Sequence, residues 1–246
     1  MIKTIKLSKT NCYLISIDKG YLLIDTGYAE DKIKFFKELS NHQIELNEIR
    51  FLFLTHHHDD HAGLLNDLIE QNPDIRIILN KYSVELLKNG VNSRTFGGAW
   101  CNKRMKKAAE FYRLINKKWT LSFPPFITRD NDIILPNEDS NLKQIVGINL
   151  SAIYSPGHSI DSISLLDENM NLFCGDAAAD YLRIFGTRYA PPFITDLSQF
   201  YTTWQKFIDL GVKQIYPSHG SIINIVKIKK NINKLSNDGM GEFIWD

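Results

Sequence analysis

Cysteine is scarce in this chain, with Cys12, Cys101 and Cys174 as the three among 246 residues. An odd and widely spaced set excludes a disulfide framework and predicts reduced thiols, as is typical of a cytoplasmic protein. Long apolar runs are also missing, since no stretch approaches the roughly 20 residues that a membrane helix needs. The amino terminus lacks the apolar run of a signal peptide. The sequence therefore predicts a cytoplasmic protein with no membrane partner; an exported protein would require a leader that has been removed.

The chain also lacks an excess of charge of either sign, because 29 Lys and Arg residues stand against 28 Asp and Glu residues. Without a net field, binding to nucleic acid is not favoured. One segment departs from this balance, since 91–126 contains a single acid, Glu110, among many basic residues. These basic residues are Arg94, Lys103, Arg104, Lys106, Lys107, Arg113, Lys117 and Lys118.

The same segment has apolar residues at helical spacing. They are Met105, Ala108, Ala109, Tyr112, Ile115 and Trp119. Such a stripe beside a polar face predicts an amphipathic helix. We interpret 91–126 as a basic helical insertion whose charged face is solvated. Two alternatives remain, namely a lid over a functional site that favours an anionic substrate, and a contact between the two copies of a homodimer.

Hydrophobic residues make up 43% of the chain and no repeat or long linker divides it, so we expect a single domain over 1–246. Apolar residues at spacings of two predict strands, and spacings of three and four predict helices. The predicted strands are 2–7, 12–17, 21–25, 49–54, 76–79, 132–135, 143–147, 149–154, 162–166, 171–174 and 212–216. The predicted helices are 30–40, 62–71, 84–87, 197–209 and 223–235. This order favours an α/β chain with two packed sheets and helices outside, in four layers.

Metal donors are concentrated in the stretch Thr55-His56-His57-His58-Asp59-Asp60-His61. His56 and His58 are two residues apart, so in an extended segment their imidazoles point to the same side. Asp60 and His61 follow where the chain turns into a predicted helix. The stretch comes directly after a predicted buried strand, at the sheet edge where α/β folds commonly place their chemistry. A solvated loop with unrelated histidines is the less favoured alternative.

Three further donors each follow an apolar strand and a tight turn. His158 lies in Ser155-Pro156-Gly157-His158, Asp176 follows Gly175, and His219 lies in Pro217-Ser218-His219-Gly220. Gly and Pro set the geometry of a turn without side-chain bulk, so each donor can point into one cleft. Any one of them alone could be a hydrogen-bonded structural residue. Together with the 56–61 stretch, they favour a metal site.

This series of donors resembles the ligand series of the metallo-β-lactamase superfamily. The matching positions are His56-x-His58-x-Asp60-His61, then His158, Asp176 and His219. Asp25, in Leu23-Ile24-Asp25-Thr26-Gly27, is similar to the first motif of that superfamily. The resemblance spans about residues 11–220. It implies an αββα sandwich of two mixed sheets with metal ions at one edge.

The resemblance implies two divalent metal ions. We expect Zn²⁺, although mixed imidazole and carboxylate donors also suit Fe or Mn. The implied ligands of the first ion are His56, His58 and His158. Those of the second ion are Asp60, His61 and His219, with Asp176 bridging both ions.

Other residues near these motifs are assigned less directly. Asp25 either orients a ligand imidazole, as its counterpart does in the superfamily, or caps the turn after its strand. His57 and Asp59 occupy variable positions of the motif, so we interpret them as flanking residues. His42 lies in a polar segment, and we expect it to be exposed to solvent.

Two divalent ions about 3.5–4 Å apart can share a water molecule and lower its pKa. The resemblance therefore implies a hydrolase that uses a metal-bridging hydroxide, with Asp60 as the catalytic group that orients it and moves its proton. Family β-lactamases have Cys or Ser where this chain has Asp176, which makes β-lactam hydrolysis an unexpected main activity. We predict cleavage of an acyl bond in a small-molecule lactone, ester or thioester. The alternatives are a phosphodiesterase or nuclease of the same superfamily and an iron-dependent sulfur dioxygenase.

The segment that follows Asp176 shapes the substrate pocket in the small lactonases and hydroxyacyl-thioester hydrolases. Here it covers 177–193 and contains two candidate catalytic tyrosines, Tyr181 and Tyr189. Either could donate a hydrogen bond to the developing oxyanion, as a tyrosine does in family lactonases. Neither lies at the expected lactonase offset from Asp176. Packing in the core or at the rim of the site is the alternative for both.

Overall fold

The computed structural model describes residues 1–92, 98–115 and 121–235. Within these ranges the strands are β1 (Ile2–Lys6), β2 (Asn11–Ile17), β3 (Gly20–Ile24), β4 (Ile49–Phe53), β5 (Arg76–Asn80), β6 (Ala99–Trp100), β7 (Ile133–Leu135), β8 (Ser140–Asn141), β9 (Leu150–Tyr154), β10 (Ile163–Asp167), β11 (Asn171–Gly175), β12 (Phe193–Ile194), β13 (Gln214–Pro217) and β14 (Ile223–Asn224). The α-helices are α1 (Lys32–Asn41), α2 (Asp59–Ala62), α3 (Leu65–Gln71), α4 (Lys81–Asn89), α5 (Lys103–Ile115), α6 (Lys143–Val146), α7 (Leu197–Asp209) and α8 (Ile225–Asn231). Short 3-10 helices cover Ala29–Asp31, Leu46–Glu48 and Arg183–Phe185.

Most of the strands belong to two six-stranded sheets, and both sheets are mixed. The first has the order β1-β2-β3-β4-β5-β7, antiparallel up to β3 and parallel from β3 onwards. The second has the order β14-β13-β11-β10-β9-β8, in which β11 and β13 run parallel and the other neighbours antiparallel. Strands β6 and β12 pair separately.

Three apolar clusters separate the layers of the fold. In β3, Leu22 and Ile24 belong to the cluster between the two sheets, whereas Leu23 belongs to the cluster on the outer face of the first sheet. This alternation is the period of two that a strand with both faces covered requires. Helices α1, α3 and α4 contribute to that outer cluster, and α5, α7 and α8 contribute to the one on the second sheet. The chain therefore forms the four-layer αββα sandwich expected from its sequence.

The segment 143–147 is predicted to be a strand, and that prediction is wrong because 143–146 forms helix α6. Leu142 and Val146 are four residues apart and are both buried in the cluster between the sheets. Gly147 then ends the helix in the left-handed region at φ 85°. A short apolar run of this kind does not distinguish a strand from a buried helix by its periodicity.

The predicted helix 62–71 is divided between α2 and α3 at Gly63. The Gly63 backbone N–H donates to the Gly27 carbonyl at 3.0 Å instead of extending one helix. A Cβ at Gly63 would lie 2.5 to 2.6 Å from backbone atoms of Ala29, Asp59 and Gly27, so a larger residue would push the chain away. The C-terminal helix predicted at 223–235 is shorter, since α8 follows the short strand β14.

The helix predicted within the basic segment is α5. Met105 and Ala109 are buried in the second outer cluster, whereas Ile115 is 67% exposed. Four residues assigned to this segment lie outside the described residues, namely Arg94, Lys117, Lys118 and Trp119. The helices found in the described ranges are too short or too polar to traverse a lipid bilayer.

Cys12, Cys101 and Cys174 are buried free thiols, as predicted. His42 is expected to be exposed, but it is only partly so, because its Nε2 atom lies 3.0 Å from the Thr4 carbonyl oxygen.

Candidate metal centre

The two sheets meet at the edge where β4, β9, β11 and β13 end. The Ile163 backbone N–H donates to the Thr55 carbonyl at 2.9 Å, and the Asn11 backbone N–H donates to the Ser218 carbonyl at 2.7 Å. Each bond joins one sheet to a turn of the other. The turns that contain the predicted donors therefore converge on one place, although they are far apart along the chain.

The first group of donors consists of three imidazoles. His58 Nδ1 lies 3.1 Å from His56 Nε2 and 3.0 Å from His158 Nε2. A tetrahedral ion with Zn–N bonds of about 2.0–2.1 Å would hold two ligand nitrogens roughly 3.3 Å apart. The spacing of these nitrogens therefore fits a metal ion, and the three residues form a group that could hold one.

The second group contains Asp60, His61 and His219, whose ligand atoms lie within 4.8 Å of one another. His219 Nε2 is 2.9 Å from Asp60 Oδ2, and His61 Nε2 is 3.5 Å from Asp60 Oδ1. These three side chains could also hold an ion.

Asp176 lies between the two groups. Its Oδ2 atom is 3.7 Å from His158 Nε2 in the first group, while its Oδ1 atom is 3.4 Å from His219 Nε2 and 3.6 Å from His61 Nε2 in the second. Two buried atoms here, His61 Nε2 and Asp176 Oδ1, have no hydrogen-bond partner among the described residues. Such unpaired buried atoms are uncommon, and a cation between them would satisfy both. All seven predicted ligands are thus brought together.

The ring nitrogens that face away from the cluster are held by fixed acceptors. His158 Nδ1 donates to the Phe193 carbonyl at 2.8 Å, and His219 Nδ1 donates to the Lys9 carbonyl at 2.9 Å. A carbonyl oxygen can only accept, so the proton must lie on Nδ1. Nε2 of each ring is therefore the atom that faces the cluster and can bind a metal ion, which is the arrangement that metal-binding histidines require.

Asp25 follows β3 with a positive φ of 58°, and its side chain makes hydrogen bonds to His61 and to residues that follow β4 and β13. Its Oδ2 atom accepts from His61 Nδ1 at 2.7 Å, which fixes the tautomer of that ring. The same Oδ2 atom accepts from the Thr55 hydroxyl at 2.8 Å and the Ser218 hydroxyl at 3.2 Å, while Oδ1 accepts from the Thr55 backbone N–H at 2.8 Å. The same carboxylate therefore orients an imidazole and closes the turn after β4.

The protonation of the first group suits metal binding. Burial lowers the pKa of His56, His58 and His158, and for His56 and His58 the neighbouring imidazoles lower it further. A neutral imidazole is the form that binds a metal ion.

In the second group, the combined effect of the neighbouring carboxylates decides the direction in which the pKa of each histidine shifts. Burial alone would lower the pKa of His61, but Asp60 and Asp25 outweigh burial and raise it to about 10. Asp176 and Asp60 likewise outweigh burial and raise the pKa of His219 to about 9. Burial also opposes ionisation of Asp60, yet His61 and His219 hold its pKa well below its usual range. Asp60 is therefore a carboxylate, and a bound cation would replace the protons of its two partners.

The flanking residues of the motif are buried and paired, which the sequence did not indicate. His57 donates its backbone N–H to Asp161 at 2.9 Å, and its Nδ1 atom is 3.0 Å from the other oxygen of the same carboxylate. Asp59 accepts a hydrogen bond at 2.7 Å from the Asn92 side chain. Burial and the charge of Asp60 raise the pKa of Asp59 to about 6. Asp161 could have been suspected only from its place three residues after His158.

The donor cluster forms the floor of a cavity of about 940 Å³. Tyr181 lines this cavity, 38% exposed, with its ring 5.6 Å from that of His219. Tyr189 does not belong to the lining; its ring is 7% exposed and the Arg183 guanidinium stacks on it at 4.7 Å. Sequence reasoning missed Tyr28, which also lines the cavity. Burial and the nearby acids, foremost Asp60, raise the Tyr28 pKa, so its hydroxyl stays protonated.

The αββα sandwich and the His/Asp groups at its sheet edge together indicate one class of protein, and a comparison with known protein families identifies the same class. Residues 5–219 match the metallo-beta-lactamase superfamily. Because this match covers most of the chain, the chain belongs to that superfamily. Members of the superfamily bind metal ions, and this chain has groups that could hold them.

Among individual proteins, the chain is similar to the lactamase-like protein adaB of Aspergillus niger, with 26% identity over 227 residues, or 91% of this chain and 54% of adaB. It is also similar to the atrochrysone carboxyl ACP thioesterase AacuM of Aspergillus aculeatus, with 25% identity over 226 residues, or 91% of this chain and 54% of AacuM. The chain thus spans about half the length of these curated relatives.

Solved structures share the fold. BJP-1, a subclass B3 metallo-beta-lactamase of Bradyrhizobium japonicum, has a TM-score of 0.66 and 15% identity, covering 96% of this chain and 88% of BJP-1. The chemotaxis sensor ODP, solved as a peroxy diiron species, has a TM-score of 0.66 and 18% identity, covering 98% of this chain and 92% of ODP. At such low identities, these likenesses concern the fold alone.

Proposed function

We propose that this chain is a hydrolase that holds two divalent metal ions and cleaves an acyl bond in a small-molecule lactone, ester or thioester. The observation that carries the proposal is the position of Asp176, whose Oδ2 atom faces His158 of the first group and whose Oδ1 atom faces His61 and His219 of the second. Two bound ions, which we expect to be Zn²⁺, would supply an activated water and polarise the carbonyl oxygen of the substrate. Fe and Mn are the alternatives that the same donors allow.

In this reaction, the water oxygen adds to the carbonyl carbon, and the bond from that carbon to the oxygen or sulfur of the leaving group breaks. Water gives up one proton, and the leaving group takes one. Asp60 lines the cavity as a carboxylate, so it can accept a hydrogen bond from the water and hold it in position, and it can receive that proton because bound ions would make the water more acidic. It can then return the proton to the leaving group.

Charge develops on the carbonyl oxygen during attack, and a hydroxyl that points at it would stabilise the transition state. Tyr181 and Tyr28 both line the cavity and can act as such donors. Tyr189 remains a candidate from the sequence, although its ring packs against Arg183 in the core.

The character of the cavity supports an acyl substrate. Its walls are mainly apolar side chains, among them Trp100, Phe111, Phe185 and Phe193. A phosphodiesterase of nucleic acids would instead need a groove of cations that follows the backbone. The relative AacuM is named a thioesterase, which also favours hydrolysis of an acyl bond.

The proposal is tested by elemental analysis and a panel of substrates, comprising a lactone, a thioester, a phosphodiester and a β-lactam. We expect two metal ions per chain and turnover of the thioester or lactone that a chelator abolishes. Asp60→Asn should lower kcat by at least about 100-fold, the range typical of proton transfer by a positioned side chain. Asp67→Asn, in an exposed ion pair with Lys32, is the matched control and should leave turnover unchanged.

Activity on phosphodiesters alone would contradict the acyl-bond assignment. Uptake of oxygen with a sulfur substrate by iron-loaded protein would contradict it as well, in favour of a dioxygenase.

A further inference from the structure

Helix α5 forms part of the wall of the cavity beside the donor cluster. Eight of its residues line the cavity, namely Arg104, Met105, Lys107, Ala108, Ala109, Phe111, Tyr112 and Ile115. Two of these, Met105 and Ala109, are also buried in the second outer cluster and anchor the helix. The helix is therefore anchored at Met105 and Ala109, while its other lining residues form a wall of the cavity.

Two large apolar side chains on this wall are uncovered. Phe111 is 64% exposed and Ile115 is 67% exposed, although both face a cavity. A second apolar wall adjoins α5, since Trp100 and Phe193 pack edge to face at 5.8 Å and Leu182 and Phe185 also belong to the lining. Contiguous apolar surface of this kind marks a binding site. The lining also includes His58, Asp60, Asp176 and His219, so whatever covers the wall lies beside the donors.

The volume of the cavity indicates the size of the occupant. About 940 Å³ is available. Small-molecule sites of about 300–1,000 Å³ bury most of the surface of a ligand of drug size. A two-carbon acyl group would leave both apolar walls in contact with water.

Among the described residues, the cations that line the cavity are Lys9, Arg104 and Lys107, and all three are exposed to solvent. The acids of the described lining are Asp59, Asp60 and Asp176, which are buried at its floor. Arg104 precedes Phe111 by two helical turns, or roughly 10 Å along the axis. A substrate could therefore place an anionic group at one end of α5 and an apolar group at the other.

We propose that the substrate is the thioester or ester of a large apolar acid with an anionic thiol or alcohol portion. Its acyl group lies along Phe111 and Ile115, and its anionic portion lies at Lys9, Arg104 and Lys107. The inference rests on the proposed function, because the scissile carbonyl must reach the donors on the cavity floor.

The test compares acetyl, octanoyl and 2-naphthoyl thioesters of coenzyme A, which is anionic, and of N-acetylcysteamine, which is neutral, with metal-loaded protein. We expect kcat/KM to rise at least about tenfold from the acetyl to the larger coenzyme A thioesters, since covering about half of a Phe side chain contributes a factor of this order. Phe111→Ser should remove this rise, because it should lower kcat/KM for the octanoyl and 2-naphthoyl thioesters about tenfold more than for the acetyl thioester. Leu114→Ser is the matched control, because Leu114 is 74% exposed on the same helix and is not in the lining.

A second part of the test examines the basic residues that line the cavity. The double variant Arg104→Gln, Lys107→Gln should reduce kcat/KM at low salt about tenfold more for coenzyme A thioesters than for N-acetylcysteamine thioesters. Lys103→Gln is the control, since Lys103 is exposed at the start of α5 and does not line the cavity.

A binding measurement without turnover separates this inference from the proposed function. Calorimetric titration with 2-naphthoate should give about tenfold weaker binding to Phe111→Ser than to the wild type or Leu114→Ser. If naphthoate binds in this way but no acyl bond is cleaved, the proposed function fails and the apolar subsite stands. If acyl bonds are cleaved with no preference for size, this inference fails and the proposed function stands. A dimer that Phe111→Ser dissociates would also overturn it, because a second copy would then cover the wall.

Discussion

At the scale of single residues, the orientation of His61 depends on a carboxylate outside the candidate ligand set. Asp25 is 1% exposed and accepts from His61 Nδ1 at 2.7 Å and from the Thr55 hydroxyl at 2.8 Å. In an Asn side chain, an NH2 group would replace one of the carboxylate oxygens. It would then face the N–H and O–H groups that now donate to that oxygen, and these hydrogen bonds would be lost. A carboxylate that accepts a hydrogen bond from a metal-binding histidine, without binding the metal itself, affects how strongly that histidine binds the metal.

We expect Asp25→Asn to weaken metal binding by about 10- to 100-fold while the overall fold is retained. The measurement is a competition titration with a chromophoric chelator. Asp67→Asn is the control because Asp67 lies at the surface in an ion pair with Lys32. Equal metal affinities for Asp25→Asn and the wild type would mean that Asp25 acts only in closing the turn.

Asp161 links the donor loop to the helix α4. It is fully buried and accepts from the His57 backbone N–H at 2.9 Å and from the Ser83 hydroxyl at 2.7 Å. Burial would raise the pKa of this carboxyl, but His57 and Ser83 outweigh burial and hold the pKa well below its usual range. The ionised form is therefore stabilised by folding.

Asp161→Asn should lower the free energy of unfolding by about 2 kcal/mol near pH 7, because buried donors then lose their acceptor. The folded-state pKa lies below the unfolded one, so this stabilisation is present above about pH 4 and is lost as the pH falls towards the folded-state value. Urea unfolding of both proteins at several pH values measures the difference. A difference that grew with acidification would show that the sign of the linkage is wrong.

At the scale of elements, the turn after β9 decides where His158 lies. Gly157 has a φ of +133°, and its carbonyl accepts from the Thr195 and Asp196 backbone N–H groups at 2.8 and 3.0 Å. A Cβ at Gly157 would lie 2.4 Å from Cα of Phe200 in α7. The absence of a side chain therefore lets the turn rest on the start of this helix.

Gly157→Ala should cost about 3 kcal/mol of stability, through the positive φ and the clash with α7, and should reduce metal binding by the first group. Gly211→Ala is a matched control, because Gly211 also has a positive φ, of +74°, but a Cβ placed there would have no atom within 4 Å. That variant should cost only about 1 kcal/mol. Thermal unfolding and metal content measure both effects, and equal losses in the two variants would exclude the clash as the cause.

At the scale of the whole molecule, the donors join the two sheets. His56, His58, Asp60 and His61 follow β4 of the first sheet, whereas His158, Asp176 and His219 follow strands of the second. An ion held by members of both sets would bind the folded chain and not the unfolded one. Metal binding should therefore contribute to the stability of the whole fold.

Removal of metal by a chelator should lower Tm by roughly 5–10 °C. This follows because a ligand at 100 times its Kd contributes about 2.7 kcal/mol, and each kcal/mol shifts Tm by about 2–4 °C in a chain of this size. His158→Ala should bind fewer ions and show a smaller shift. His42→Gln is the control, because His42 Nε2 contacts the Thr4 carbonyl outside the cluster. A Tm that is independent of the chelator would contradict a metal link between the sheets.

The tertiary structure shows why some predictions could be made and others could not. The seven donors and the strand alternation are local features, since each donor lies within eight residues of the end of its strand and Leu22, Leu23 and Ile24 alternate between faces. The choice between strand and helix at 143–147 depended on packing, because burial of Leu142 and Val146 against both sheets selected α6.

The sequence by itself determined which side chains can bind metal and which turns present them, because the spacing of residues within a strand and its turn follows from backbone geometry. The tertiary structure alone decided that Tyr181 and not Tyr189 lines the cavity, and that Asp161 supports His57 from 104 residues away. It also decided which face of α5 is uncovered. Contacts of this kind depend on how the two sheets pack, and periodicity along the chain contains no information about partners so distant in sequence.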